Sequence, residues 1–215
     1  MINDKNNAPH VDSGLRKILE NPGFYNLFQS IIGANKHRIK HFDEHFSFSK
    51  GMSVLDIGCG TAILSKYLTS EIEYYGCDME NKYIKYASQN AKSNQYFFRE
   101  RVGNTIRHDW YNKFDYINAH GLLHHLSDID CDKLLSISYK YLKPGGSLIT
   151  VDTVKHIDQS KLESWIVSKD RGQNVKTPDC YLTQARKTFK NVEGAIDNQY
   201  SSIIPFSVFI MKMKK

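Results

Sequence analysis

The sequence predicts an α/β fold: a doubly wound, mostly parallel seven-stranded sheet with an antiparallel C-terminal hairpin and an N-terminal helical cap. Three observations carry this expectation. Short apolar runs of strand length alternate with helix-spaced segments between residues 51 and 154. Glycines punctuate the junctions, at Gly58-Cys59-Gly60 after one run and at Pro144-Gly145-Gly146 before another. Two strand-like runs close the chain across a short connection, which implies an antiparallel pair. The 215 residues are 40% hydrophobic and 24% charged, which excludes a disordered chain and suffices for one domain with small additions.

The elements follow in order. Residues 1–13 read as a polar tail without the apolar stretch of a secretory signal. No run approaches the roughly 20 apolar residues that cross a bilayer, so a cytoplasmic protein that uses no membrane is expected. Leu15, Ile18, Leu19, Phe24, Leu27, Phe28, Ile31 and Ile32 fall at helical spacing, broken at Asn21-Pro22-Gly23. A third helix over 35–46 aligns His37, His41 and His45, expected as a solvated face rather than a metal site. Residues 1–50 thus form the tail and cap, and 51–215 the core. Strands are predicted at 53–57, 73–77, 96–102, 115–119, 147–154, 192–197 and 202–211, and helices at 61–69, 81–91, 130–142 and 178–189.

Chemistry concentrates at the strand ends, where an open parallel sheet binds its ligands. Glycines after the first strand admit a ligand where a Cβ would collide. A phosphate loop would carry a third glycine at position 63, which is Ile63, and would not tolerate Asp56 beside it. An acid next to a glycine turn suits a positively charged ligand. Asp78, ending the next strand, can accept both hydroxyls of a ribose. The net charge is +6 with lysines spread along the chain, so nucleic acid is not the favoured partner. The four cysteines form no C-x-x-C pair and read as reduced thiols.

The segments D-I-G-C-G-T (56–61), G-C-D-M (76–79), A-H-G-L-L-H-H-L-S-D (119–128) and L-K-P-G-G (142–146) come in the order and spacing of one family. The chain resembles the class I S-adenosylmethionine-dependent methyltransferases, with their Rossmann-like fold. That resemblance implies S-adenosylmethionine as cofactor, S-adenosylhomocysteine as product, and no metal. It places Asp56, Gly58, Cys59 and Gly60 at the methionine end, Asp78 at the ribose, and Met79 on the adenine. Asn104 stands where the family often has Asp facing the adenine amino group, and Ala119, which opens the third segment, is placed with the cofactor-binding residues. Ala62 replaces a common third glycine.

The segment Leu123-His124-His125-Leu126-Ser127-Asp128 is similar to one in plant-type small-molecule O-methyltransferases, whose His is the base; carried over, that position is His124, with His125 as a second candidate, the alternative being that these histidines only bond to backbone and shape the loop. Asp152 is expected to touch the acceptor or to cap a following helix. The stretches 21–28 and 170–178 resemble a bacterial branch of the superfamily; within them Tyr25 is expected on the substrate side, closing over the cofactor from the cap, or else in the core, and Arg171 is expected to pair with an anionic acceptor or to bond a loop carbonyl. The function expected is methylation of a small-molecule acceptor, foremost at oxygen, by a monomer or homodimer. The alternatives are an RNA or protein methyltransferase and a non-catalytic S-adenosylmethionine-binding protein.

Overall fold

A computed structural model describes residues 34–101, 106–168, 174–198, 200 and 206–215. Its elements are α1 (Ala34–His45), β1 (Ser53–Ile57), α2 (Ile63–Tyr67), β2 (Glu73–Asp78), α3 (Asn81–Gln89), β3 (Gln95–Arg99), β4 (Phe114–His120), α4 (Asp128–Tyr141), β5 (Leu142–Thr153), α5 (Lys161–Ser168), α6 (Pro178–Arg186), β6 (Asn191–Asp197) and β7 (Val208–Lys214). The seven strands form one sheet in the order β3-β2-β1-β4-β5-β7-β6. β3, β2, β1, β4 and β5 run parallel, and β7 is antiparallel to both β5 and β6. The strand order reverses between β1 and β4, the switch point where such sheets open a crevice.

Two apolar layers cover the sheet. Leu55, Ile57, Ile117 and Ala119 pack with Leu134, Leu135 and Tyr141 of α4 and with Tyr181 and Ala185 of α6 on one face. Val54, Tyr74 and Ile149 pack with Phe42 and Phe46, Leu64 of α2 and Ala87 of α3 on the other. Caps visible in the sequence start the helices: Ser127 accepts from the Asp130 amide ahead of α4, and Thr177 accepts from the Cys180 amide with Pro178 in the first turn of α6. No helix among the described residues is long and apolar enough to cross a membrane.

Three expectations are corrected. The histidine face of α1 is not solvated: His41 is 2% exposed and its Nε2 lies 2.7 Å from Asp197 Oδ2. The helix packs against the sheet, so its polar stripe is consumed by buried partners. The last strand is Val208–Lys214 rather than 202–211. Met211 and Met213 point inward while Lys214 points out, so the lysine-rich end that resembles a tail keeps the period of a strand. Finally, α5 has no counterpart among the predicted elements. Its Leu162 and Trp165 are exposed and its Glu163 is buried, the inverse of the pattern that reveals a helix.

Candidate functional site

The loop after β1 is held open by backbone geometry. Gly58 has φ +71°, and a Cβ there would stand 3.3 Å from Leu122 Cδ1. Gly60 has φ +53°, and a Cβ there would meet nothing within 4 Å, so the bare backbone faces open space. Asp78 pins this turn from the end of β2: its Oδ2 accepts from the Gly60 amide at 3.0 Å and its Oδ1 from the Glu80 amide at 2.8 Å. Partial burial raises its carboxyl above the ordinary range, opposed by the amides of Glu80 and Gly60. Met79 next to it is 59% exposed. Ala62 keeps the left-handed conformation of the glycine it replaces, at φ 55° and ψ 49°, with its methyl buried. The Cβ costs about 1–2 kcal/mol in that region.

Asp56 sits behind the loop rather than on its rim. It is 4% exposed; Oδ2 accepts from the Tyr74 hydroxyl at 2.6 Å and Oδ1 from Asn118 Nδ2 at 2.6 Å. Burial pushes its carboxyl up to about 6, opposed by these two hydrogen bonds and by the charge of Arg38 on α1. Cys59 is buried, and its thiol is pushed up by burial and by the Asp56 charge. Ala119 is fully buried within the α4-side core, so its side chain has no surface to offer a ligand.

Across the switch point the structure joins two residues that the sequence treats separately. His124 is buried in a short 3₁₀ turn (Leu123–His125), with Nδ1 2.9 Å from Asp152 Oδ1 at the end of β5. The His124 amide also donates to Asp152 Oδ1, at 3.3 Å, and the Asn174 amide donates to the His124 carbonyl. Asp152 is 1% exposed. It is not a helix cap, because α5 starts only at Lys161. In the Nδ1–H tautomer the ring donates to this Asp152 oxygen, an arrangement in which Nε2 would be the basic nitrogen. His125 is exposed, its ring centroid 4.1 Å from that of His124.

Sequence reasoning missed the group on the α1 side. His120 ends β4, and its Nε2 lies 2.5 Å from the Tyr200 hydroxyl. Burial holds its imidazole well below the ordinary value, reinforced by the charges of Arg38, His41 and His124. The Tyr200 ring lies 5.6 Å from His41 and 5.8 Å from His120. The signal for His120 is its place at the end of a parallel strand; Tyr200 carries none. Tyr25, Asn104 and Arg171 lie outside the described residues. Among the described residues no group of His, Cys, Asp and Glu is arranged to hold a metal.

The seven-stranded sheet, five strands parallel and closed by an antiparallel pair, has the Rossmann-like fold of the class I S-adenosylmethionine-dependent methyltransferases. The profile of the methyltransferase-domain family matches residues 48–198, and the chain belongs to that family. Phosphoethanolamine N-methyltransferase 1 of Arabidopsis thaliana is 26% identical over 145 residues, covering 66% of this chain and 29% of that protein. Demethylmenaquinone methyltransferase of Listeria innocua is 30% identical over 150 residues, covering 66% and 60%. The chain thus spans less than two thirds of these relatives' length. Among solved structures, Haemonchus contortus phosphoethanolamine N-methyltransferase 2, in complex with phosphomonomethylethanolamine and S-adenosylhomocysteine, superposes with a TM-score of 0.73 at 17% identity, covering 96% of this chain and 61% of that one. A methyltransferase from Aquifex aeolicus gives 0.64 at 16% identity, covering 89% and 97%.

Proposed function

We propose that the chain binds S-adenosylmethionine at the Gly58–Gly60 turn and transfers its methyl group to a small-molecule acceptor, leaving S-adenosylhomocysteine. The observation that carries this reading is the bare backbone at Gly60, open where a Cβ would project, with the Asp78 carboxylate bonded to its amide. Each Asp78 oxygen has a second lone pair for a ribose hydroxyl. Met79 offers its exposed thioether side chain to the adenine face, and Asn104 is assigned to the adenine amino group. Burial of Asp56 behind the turn supplies negative potential towards a cationic ligand, and no phosphate loop would be built on it.

When bound, S-adenosylmethionine supplies a methyl already activated by its sulfonium. The protein's share is alignment and proton removal. Asp152 fixes the His124 ring with Nδ1 protonated, and Nε2 takes the proton of an acceptor hydroxyl as the methyl arrives. This favours oxygen as the acceptor atom. The relatives named for phosphoethanolamine extend the same arrangement to an amine, whose ammonium must also lose a proton before it attacks. Tyr25 and Arg171 are assigned to the acceptor side.

Calorimetric titration with S-adenosylmethionine tests the cofactor reading: wild type binds and Asp78→Ala does not. Wild type that stays silent defeats it. A panel of phenols, sugars, quinols and phosphoethanolamine, followed by release of S-adenosylhomocysteine, identifies the acceptor class.

A further inference from the structure

We propose that the outer edge of β6 is an interface between copies of this chain: it pairs antiparallel with the same strand of a second copy, joining two sheets into one about a two-fold axis at Gly194. The pairing is independent of the methyl-transfer reading above. An edge strand presents a row of backbone donors and acceptors, and soluble proteins blunt such edges with lysine, proline, a bulge or a short strand. β6 carries none of these. It is seven residues long, Asn191–Asp197, without lysine or proline, and its register with β7 runs unbroken from end to end. Among the described residues it pairs with β7 alone. Glu193, Gly194, Ala195 and Ile196 are exposed. The opposite edge, β3, is shorter, at five residues, and ends in Arg99.

The sequence of β6 selects both the partner and the register. Two identical strands paired antiparallel in one sheet are related by a two-fold axis perpendicular to it, so opposed residues lie on the same face. Side chains alternate between faces, so the axis passes through a residue and not between two. Centring on Gly194 pairs the whole strand: Asn191 meets Asp197, Val192 meets Ile196 and Glu193 meets Ala195, each twice. Centring one residue earlier opposes Glu193 to itself, and one residue later opposes Glu193 to Asp197; like charges directly opposite are destabilising. Gly194 is kept bare by the Phe209 ring beneath it, so no side chain stands at the axis. On the α6 side, Ile196 is exposed and Val192 packs at the margin of the core, so the Val192–Ile196 pairs carry that apolar layer across the join. Each β6 edge is used up by one partner, and association closes at two copies.

Sedimentation velocity on the full chain at about 1–200 μM tests the pairing; wild type should pass from monomer to dimer with a Kd of about 1–100 μM, as a small interface gives. Hydrogen exchange at the two ends of that range should show the amides of β6 slowed at the higher concentration and those of β3 unchanged. Ala195→Glu sets like charges opposite each other at two symmetry-related places and should weaken the dimer about 3–30-fold, whereas Ala195→Lys sets opposite charges there and should tighten it about 2–10-fold. Opposite signs at one position are a readout that merely enlarging the side chain would not give. A wild type that stays monomeric throughout, one that grows beyond the dimer, or a dimer whose added protection lies away from β6 overturns the proposal, and so do two variants with the same effect on Kd. Should either variant fail to fold, the exchange comparison on wild type decides.

Discussion

Replacing Asp56 by Asn should stabilise the protein while disabling its proposed function. The carboxyl titrates at 3.8 in an ordinary setting and at about 6 in the fold, because burial disfavours its charged form more than Tyr74, Asn118 and Arg38 favour it. That gap corresponds to about 3 kcal/mol. Between pH 3.8 and about 6 the folded chain holds a proton that the unfolded chain has released, so stability falls as pH rises through this window. The amide of the Asp56→Asn variant takes up no such proton, so the variant should be slightly less stable than wild type below about pH 4, by the weaker bond described next, and more stable above about pH 6. The amide can keep its oxygen towards Asn118 Nδ2, but its NH₂ then faces the Tyr74 hydroxyl, which must turn to accept. Subtracting about 1 kcal/mol for that weaker bond leaves a gain of about 1–2 kcal/mol at neutral pH. In a chain of this size the gain raises Tm by about 2–8 °C. Urea and thermal melts of wild type and Asp56→Asn at about pH 4 and about pH 7.5 measure it, and titration with S-adenosylmethionine should show at least a roughly tenfold loss. A variant less stable than wild type at the higher pH, or one whose gain is the same at both pH values, would refute the reasoning.

Other expectations follow from single contacts. Gly60→Ala places a Cβ in the open space before the turn at a positive φ; it should cost about 1–2 kcal/mol in urea melts and abolish calorimetric binding of the cofactor. In Asp152→Asn the carboxylate that fixes His124 is gone, so the ¹⁵N spectrum should change from one Nδ1–H tautomer to a mixture, and turnover on the identified acceptor should drop by about 10²-fold or more. His41→Ala removes the 2.7 Å contact with Asp197 and should cost about 1–3 kcal/mol, with hydrogen exchange accelerating first in the amides of α1.

The sheet was legible because its signals are local. A buried strand such as Ser53–Ile57 is apolar over most of its length, and the glycines and acids at strand ends sit within a few residues of the turns they shape. The strands of the first five positions agree with the structure to within a few residues, except β5, which starts at Leu142 because Pro144-Gly145-Gly146 stays in the strand across an irregular register. The site was legible by position and not by partnership. Asp56 and Asp78 could be placed at strand ends, but nothing local reveals that Tyr74 and Asn118 enclose the first, or that Asp152 reaches back to a histidine 28 residues away.

The polar group on the α1 side shows why such partnerships escape pattern reading. His41, His120, Asp197 and Tyr200 come from four segments separated by up to 156 residues between bonded partners, and they meet only because α1 and the end of the sheet pack together. A histidine stripe on a helix has the same period whether water or a carboxylate receives it, so periodicity alone favours water. What distinguishes the two is a buried acceptor elsewhere in the chain, and a buried imidazole without one would be expensive. Asp197 at the end of β6 supplies that acceptor for His41, and the Tyr200 hydroxyl does so for His120. The same contacts fasten α1 over the sheet face where Phe42 packs with Val54 of β1 and Tyr74 of β2. Disrupting His41 should therefore weaken cofactor binding as well as the fold. The loss should scale with the loss of order in α1 and should be smaller than that of Asp78→Ala, which acts at the glycine turn itself.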